Sequence, residues 1–167
     1  MGTRRIHADL WVPRELHANI HTGDGRISAQ NLKGEIRLSS GDGRIEADSM
    51  DGNLEASTGD GRIRISGRFD QLNLRTGDGS IEADVLRDSK VTSGWRIHTG
   101  DGHITLRLPE TLAADLDVHT GDGRVTVDLP AQIQGTIRKS DFRAKLNGGG
   151  SSLVVRTNDG AIRVERL

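Results

Sequence analysis

A four-residue turn that returns about every 18 residues constrains this 167-residue chain more than anything else in it. Thr-Gly-Asp-Gly, or its Ser form, begins at Thr22, Ser40, Thr58, Thr76, Thr99 and Thr120, and Thr157-Asn158-Asp159-Gly160 is an altered seventh copy. The spacings are 18, 18, 18, 23, 21 and 37. A gap of 37 holds two periods, so the spacing predicts an unmarked rung at Lys139, where Ile137, Ala144 and Leu146 keep part of the pattern. Eight rungs are expected.

Aligned on the Thr, the seven visible copies share four columns, four and two residues before it and five and seven after it. The first runs from Ala18 to Leu153 and includes Trp95; the second runs from Ile20 to Val155. The third is the ladder Ile27, Ile45, Ile63, Ile81, Ile104, Val125 and Ile162, and the fourth runs from Ala29 to Val164. All 28 positions are apolar in a chain that is 33% hydrophobic, which excludes chance. A separation of two within each pair means strands with one buried face, not helix. A unit this small cannot bury that face alone and must stack on copies of itself.

The expected fold is therefore all-β: a single parallel β-solenoid of about eight rungs, two short strands in each. At about 4.8 Å per strand it would be a rod about 38 Å long. One domain covers 1–167, with an N-terminal half rung and cap loop at 4–21 carrying Ile6, Ala8, Leu10 and Trp11. Regular rungs follow over 22–139 with insertions at 86–94 and 109–115, then C-terminal rungs over 140–167. Outward columns should alternate in sign. Arg64 falls between Glu46 and Glu82, and the column Arg37, Glu55, Asn73, Arg96, Asp117 again mixes charges. Solenoid ends template edge pairing unless capped, so end-to-end or edge-mediated oligomers are a further expectation, with Ser140 to Ser152 as a second candidate cap.

Composition narrows function. A net charge of -1 gives no global field for nucleic acid or anionic lipid, and 19 of the 23 basic residues are Arg, which suits fixed ion pairs. With no Cys there is no disulfide, thiolate metal site or Cys nucleophile. No apolar run approaches the roughly 20 residues needed to span a bilayer. Met1-Gly2-Thr3 reads as an expression start, so a signal or anchor removed upstream is the expected route to any membrane.

The turn invites two readings. As structure, Gly23, Gly25, Gly41, Gly43, Gly59, Gly61, Gly77, Gly79, Gly100, Gly102, Gly121 and Gly123 supply positive φ, and each Asp accepts backbone amides. As a site, Asp24, Asp42, Asp60, Asp78, Asp101 and Asp122 form a line of like charge able to recruit Ca²⁺. The calcium β-roll carries Gly-Gly-x-Gly-x-Asp nonapeptides, and this chain divides into near-nonapeptide halves such as Asp51-Gly52-Asn53-Leu54. Its Asp lies between the glycines instead, and Arg26, Arg44, Arg62 and Arg124 stand beside it as counter-ions, so the structural reading leads. His21, His98, His103 and His119 cluster near the turns, with His98 and His119 expected on adjacent rungs as a conceivable metal pair; polar surface cover is the preferred reading. The single Thr per turn is expected to bond a neighbouring backbone, not to form an ice-binding face.

A carbohydrate-active β-helix enzyme is the remaining alternative, and it wants paired carboxylates in a groove with aromatic platforms. There is no Tyr and aromatics are 2%. Gly-x-Ser-x-Gly, phosphate-loop and His-Glu-x-x-His motifs are also missing. No catalytic residue and no cofactor is assigned. Specific contacts are expected beside the inserted loops at Leu86 to Gly94 and Pro109 to Asp115, because variation on a rigid scaffold is where binding resides.

The residues resemble the bacterial adhesin-like domains of β-strand repeats, a family of unknown function. The carriers are Val12-Pro13 leading into Ala18-Asn19-Ile20-His21-Thr22-Gly23-Asp24-Gly25, the Thr-Gly-Asp-Gly-Arg-Ile units, and Leu146-Asn147-Gly148-Gly149-Gly150 before Leu153-Val154-Val155-Arg156-Thr157. The resemblance covers essentially the whole chain. It implies a non-enzymatic β-solenoid of the cell envelope or exterior, attached through a segment outside this chain. The implied partner is an unidentified protein or envelope polysaccharide and not nucleic acid.

Overall fold

Strict alternation of apolar and polar residues leaves the chain nothing but strands to form. The computed structural model describes residues 15–129 and 134–167, with the backbone alone at 134–137. Ile6, Ala8, Leu10 and Trp11 lie outside the described residues. Among the described residues fourteen strands form one sheet: β1 (Glu15–Thr22), β2 (Ile27–Gln30), β3 (Lys33–Ser40), β4 (Ile45–Thr58), β5 (Ile63–Thr76), β6 (Ile81–Val85), β7 (Trp95–Thr99), β8 (Ile104–Leu108), β9 (Ala114–Asp122), β10 (Val125–Asp128), β11 (Gln134–Ile137), β12 (Asp141–Leu146), β13 (Ser152–Asp159) and β14 (Ile162–Arg166). No helix occurs among the described residues. β4 and β5 run unbroken around the corner opposite the Gly turn, where two separate short strands were expected.

Strands leading into the Gly turns stack in parallel as β1-β3-β4-β5-β7-β13-β9, and those leaving them as β2-β4-β5-β6-β8-β14-β10. Counterparts lie over counterparts: Ile27 on Ile45, Ile45 on Ile63, Ile63 on Ile81 and Ile81 on Ile104. Ile162 then lies between Ile104 and Val125. The ladder is buried except at Val125, which with Val127 is half-buried on the last rung, as Ala18 and Ile20 are on the first described one. Among the described residues β2 and β10 each have a parallel neighbour on one side only.

Two features differ from the expectation. First, the rung at Lys139 does not exist. β12 runs antiparallel to β9, with Phe142 opposite Val118 and Ala144 opposite Leu116, and β11 runs antiparallel to β12. Lys139-Ser140-Asp141 holds no glycine, so it cannot make the close backbone approach that the other turns make, while buried Phe142 and Ala144 still cover the end of the core. Second, the rungs do not stack in chain order. β13 and β14 insert between the rung of β7 and β8 and the rung of β9 and β10. Residues 109–113 must therefore carry the chain past one strand position, which accounts for the longer spacing there.

Hydroxyls staple the turns. Thr58 Oγ1 donates to Gly43 O at 2.8 Å, Thr76 to Gly61 O at 3.0 Å, Thr99 to Gly79 O at 2.8 Å, Thr157 to Gly102 O at 3.1 Å and Thr120 to Gly160 O at 2.8 Å. Ser40 does the same to Gly25 O at 3.0 Å. All of these hydroxyl-bearing residues are buried. Thr99→Val keeps the shape and removes the donor, so it should cost about 1–2 kcal/mol in urea unfolding, whereas Thr99→Ser, which restores the group Ser40 uses, should cost less.

Candidate functional site

Residues flanking the first apolar column point outward and form two rows across the leading strands. Glu35, Asn53 and Gln71 stand in register in one row, and Arg37, Glu55, Asn73 and Arg96 in the next. Gly94, immediately before Trp95, takes the place after Gln71, and its φ of 88° suits glycine. A missing side chain in an otherwise filled row opens a depression of about 300 Å³, lined by Asn53, Glu55, Gln71, Asn73, Ser93, Arg96 and Ser152. Its wall is the inserted loop. Lys90 N–H donates to Phe69 O at 2.9 Å, Thr92 Oγ1 to Asp70 O at 2.8 Å, and Ser151 Oγ to Thr92 O at 3.2 Å, which pins the loop on β5 and on the residue that precedes β13.

The ion pairs along this face join Arg37 to Glu35 at 3.2 Å and to Glu55 at 3.3 Å. The Asn53, Gln71 and Asn73 carboxamides each offer two donors and an acceptor beside the Arg96 guanidinium. This mixture can hydrogen-bond hydroxyls, amides and an anionic group. Among the described residues no aromatic side chain lines it.

The turn aspartates form an exposed row along one corner, continued by Asp159, which pairs with Asp122. Among the described residues no three His, Cys, Asp or Glu side chains converge to hold a metal ion. The expected adjacency of His98 and His119 is overturned, because β13 places Arg156 between them. His119 Nδ1 instead lies 2.6 Å from Asp141 Oδ1, and that hydrogen bond holds the Asp141 carboxyl below the usual carboxylate range. Insertion of Val154 likewise separates Arg96 from Asp117, whose carboxylate meets Arg143 and Arg156. Arg64 does reach Glu82, at 3.8 Å. The turn glycines also differ from expectation: none in the six unaltered turns has positive φ. A Cβ on Gly43, Gly61, Gly79 or Gly102 would instead strike the carbonyl of the glycine one rung away.

On the trailing strands Arg107 meets Asp84 at 2.7 Å, Glu165 at 2.8 Å and Glu82 at 3.0 Å. The hydrogen bond from Arg107, opposed by burial, lowers the Glu82 pKa from its ordinary 4.5. A carboxylate with a depressed folded-state pKa contributes stability that is present above its ordinary value and lost as pH falls through the lowered one. Arg107→Gln should therefore cost about 1–2 kcal/mol at pH 7, and the deficit should shrink below about pH 4 in thermal melts across pH.

Fold and surface together define an all-β solenoid repeat domain with an outward polar face. The chain belongs to the Toastrack family, DUF4097, whose model matches residues 14–94 and again 66–165. Two overlapping matches suit a repeated unit. A solved "putative cell adhesion protein" from Clostridium sporogenes is similar at 15% identity and a TM-score of 0.41, over 81% of this chain. The chain spans 57% of that protein's length. No curated protein matches the chain.

Proposed function

We propose that this chain is a non-enzymatic, adhesin-like domain of the cell envelope or exterior that holds a polar ligand against its outer face at the Gly94 depression. The observation that carries this reading is the depression itself. It is lined by carboxamide, carboxylate and guanidinium groups at strand spacing, and Asn53, Glu55, Gln71, Asn73 and Arg96 are each fixed by a strand whose opposite face is in the stacked core. Rigid presentation lowers the ordering cost of binding. A polar site of this kind binds weakly on its own, so useful affinity comes from many sites engaged together. An envelope polysaccharide or an extended peptide supplies the matching hydroxyls and amides.

The test is an NMR titration with two soluble probes, an oligogalacturonate and a peptidoglycan fragment. Shifts are expected at Asn53, Gln71, Asn73, Gly94 and Arg96 with at least one of them, with loss of those shifts in Asn73→Ala/Arg96→Ala. Shifts confined to another face, or enzyme-like shortening of either probe, would sink the reading.

A further inference from the structure

The out-of-order rung raises the question of what the gap it fills can accept. We propose that the slot between the Thr99 rung and the Thr120 rung is an exchange site, filled by residues 152–166 either of the same chain or of a second copy, so that two copies assemble by trading these rungs.

The slot recognises pattern, not chain identity. On the leading side Leu153 lies between Trp95 and Leu116, and on the trailing side Ile162 lies between Ile104 and Val125. Thr157 Oγ1 donates to Gly100 O and Gly102 O, and Thr120 Oγ1 donates to Gly160 O. These are the contacts made between every other pair of rungs. A second copy's 152–166 presents the same groups in the same register.

The segment feeding the slot is a short, strained crossing. β12 and β13 flank β9 on opposite sides, so residues 147–151 pass over the start of β9. Asn147, Gly148 and Gly149 have φ of 48°, 88° and 83° there. Asn147 Nδ2 clamps the crossing by donating to Glu110 O at 2.7 Å and Leu112 O at 2.8 Å. Straightening this crossing points 152–166 away from its own slot, the geometry from which identical elements are swapped. The intact crossing keeps the rung at high effective concentration near its own slot, so exchange is favoured when chains fold together at high concentration.

Length supplies the test. Two strand positions are about 9.6 Å apart. Deleting 147–150 leaves two residue steps from Leu146 to Ser152, a reach of about 7 Å. That variant cannot fill its own slot. It should form a dimer by light scattering, whereas the intact chain diluted during folding should be monomeric. The chain has no cysteine, so placed thiols report the pairing. His98 and Arg156 are direct partners on parallel strands, about 4.8 Å apart and within disulfide range. When the deletion carrying His98→Cys is refolded with the deletion carrying Arg156→Cys, a disulfide between chains should form at least tenfold above a Ser57→Cys control. A monomer with the rung released and the Thr99 and Thr120 rungs closed on each other would overturn the proposal, as would a dimer without that disulfide. If the deletion does not fold, full-length His98→Cys and Arg156→Cys chains refolded together at high concentration give the same readout. Absence of the cross-link there overturns the proposal equally.

Discussion

Trp95→Ala is expected to cost about 4 kcal/mol, and to lower the melting temperature by about 12 °C. Trp95 is fully buried, stands edge-on to Phe69 with ring centroids 6.5 Å apart at 88°, and donates from Nε1 to Asp70 O at 3.1 Å. The other members of its column are aliphatic, so a stack that packs around an indole at one level cannot close over a methyl group. Trp95→Phe should fall between, since the ring contact survives and the bond to the Asp70 carbonyl does not. Trp95 also lies between Gly94 and Arg96, so the alanine variant should blur the outer depression as well as the core. Urea unfolding checks the first effect and the NMR titration the second. A loss below about 1 kcal/mol would mean that the column collapses freely into the space the indole leaves.

The apolar columns were legible in the sequence because stacking gives every eighteenth position the same surroundings, so one repeat reports on all. Stacking order was not legible for the same reason. At each column the rungs of Thr120 and Thr157 carry interchangeable residues, and nothing local states which of the two should lie on Gly100 and Gly102. Connection length held the only signal: the extra residues between Thr99 and Thr120 are those that step over a strand position. The pattern of Ala144 and Leu146 reads as part of a parallel rung because a period of two is blind to strand direction, whereas both residues pair antiparallel with β9. The missing Gly-Asp-Gly at Lys139 was the cue against it. The loop at 86–94 was singled out as an interruption and forms one wall of the depression. The gap itself depends on a single glycine whose neighbours become visible only in register. His98 and His119 were paired by adjacency in sequence order, and one intercalated strand removes that adjacency.

The turn glycines were assigned to the right structure for the wrong reason, and substitutions separate the two reasons. If Gly61 were needed for a left-handed backbone, asparagine would replace it well, as Asn31 and Asn147 do at φ of 56° and 48°. Gly61 has no positive φ, and a Cβ there would press on the Gly43 carbonyl and lie 2.8 Å from Thr58 Oγ1. Gly61→Ala should therefore cost about 3 kcal/mol, because two backbones that touch across rungs must separate and the Thr58 staple must lengthen. Gly61→Asn should be no better. Gly148 provides the opposite case, with φ of 88° and open space around it. There alanine should cost about 1 kcal/mol and asparagine less, since only the backbone preference is at stake. The order of the four variants in urea unfolding is the discriminating result. Rescue of position 61 by asparagine would move the cause back to the dihedral angle, and a deeper loss than at position 148 ties it to the distance between rungs on which the whole stack depends.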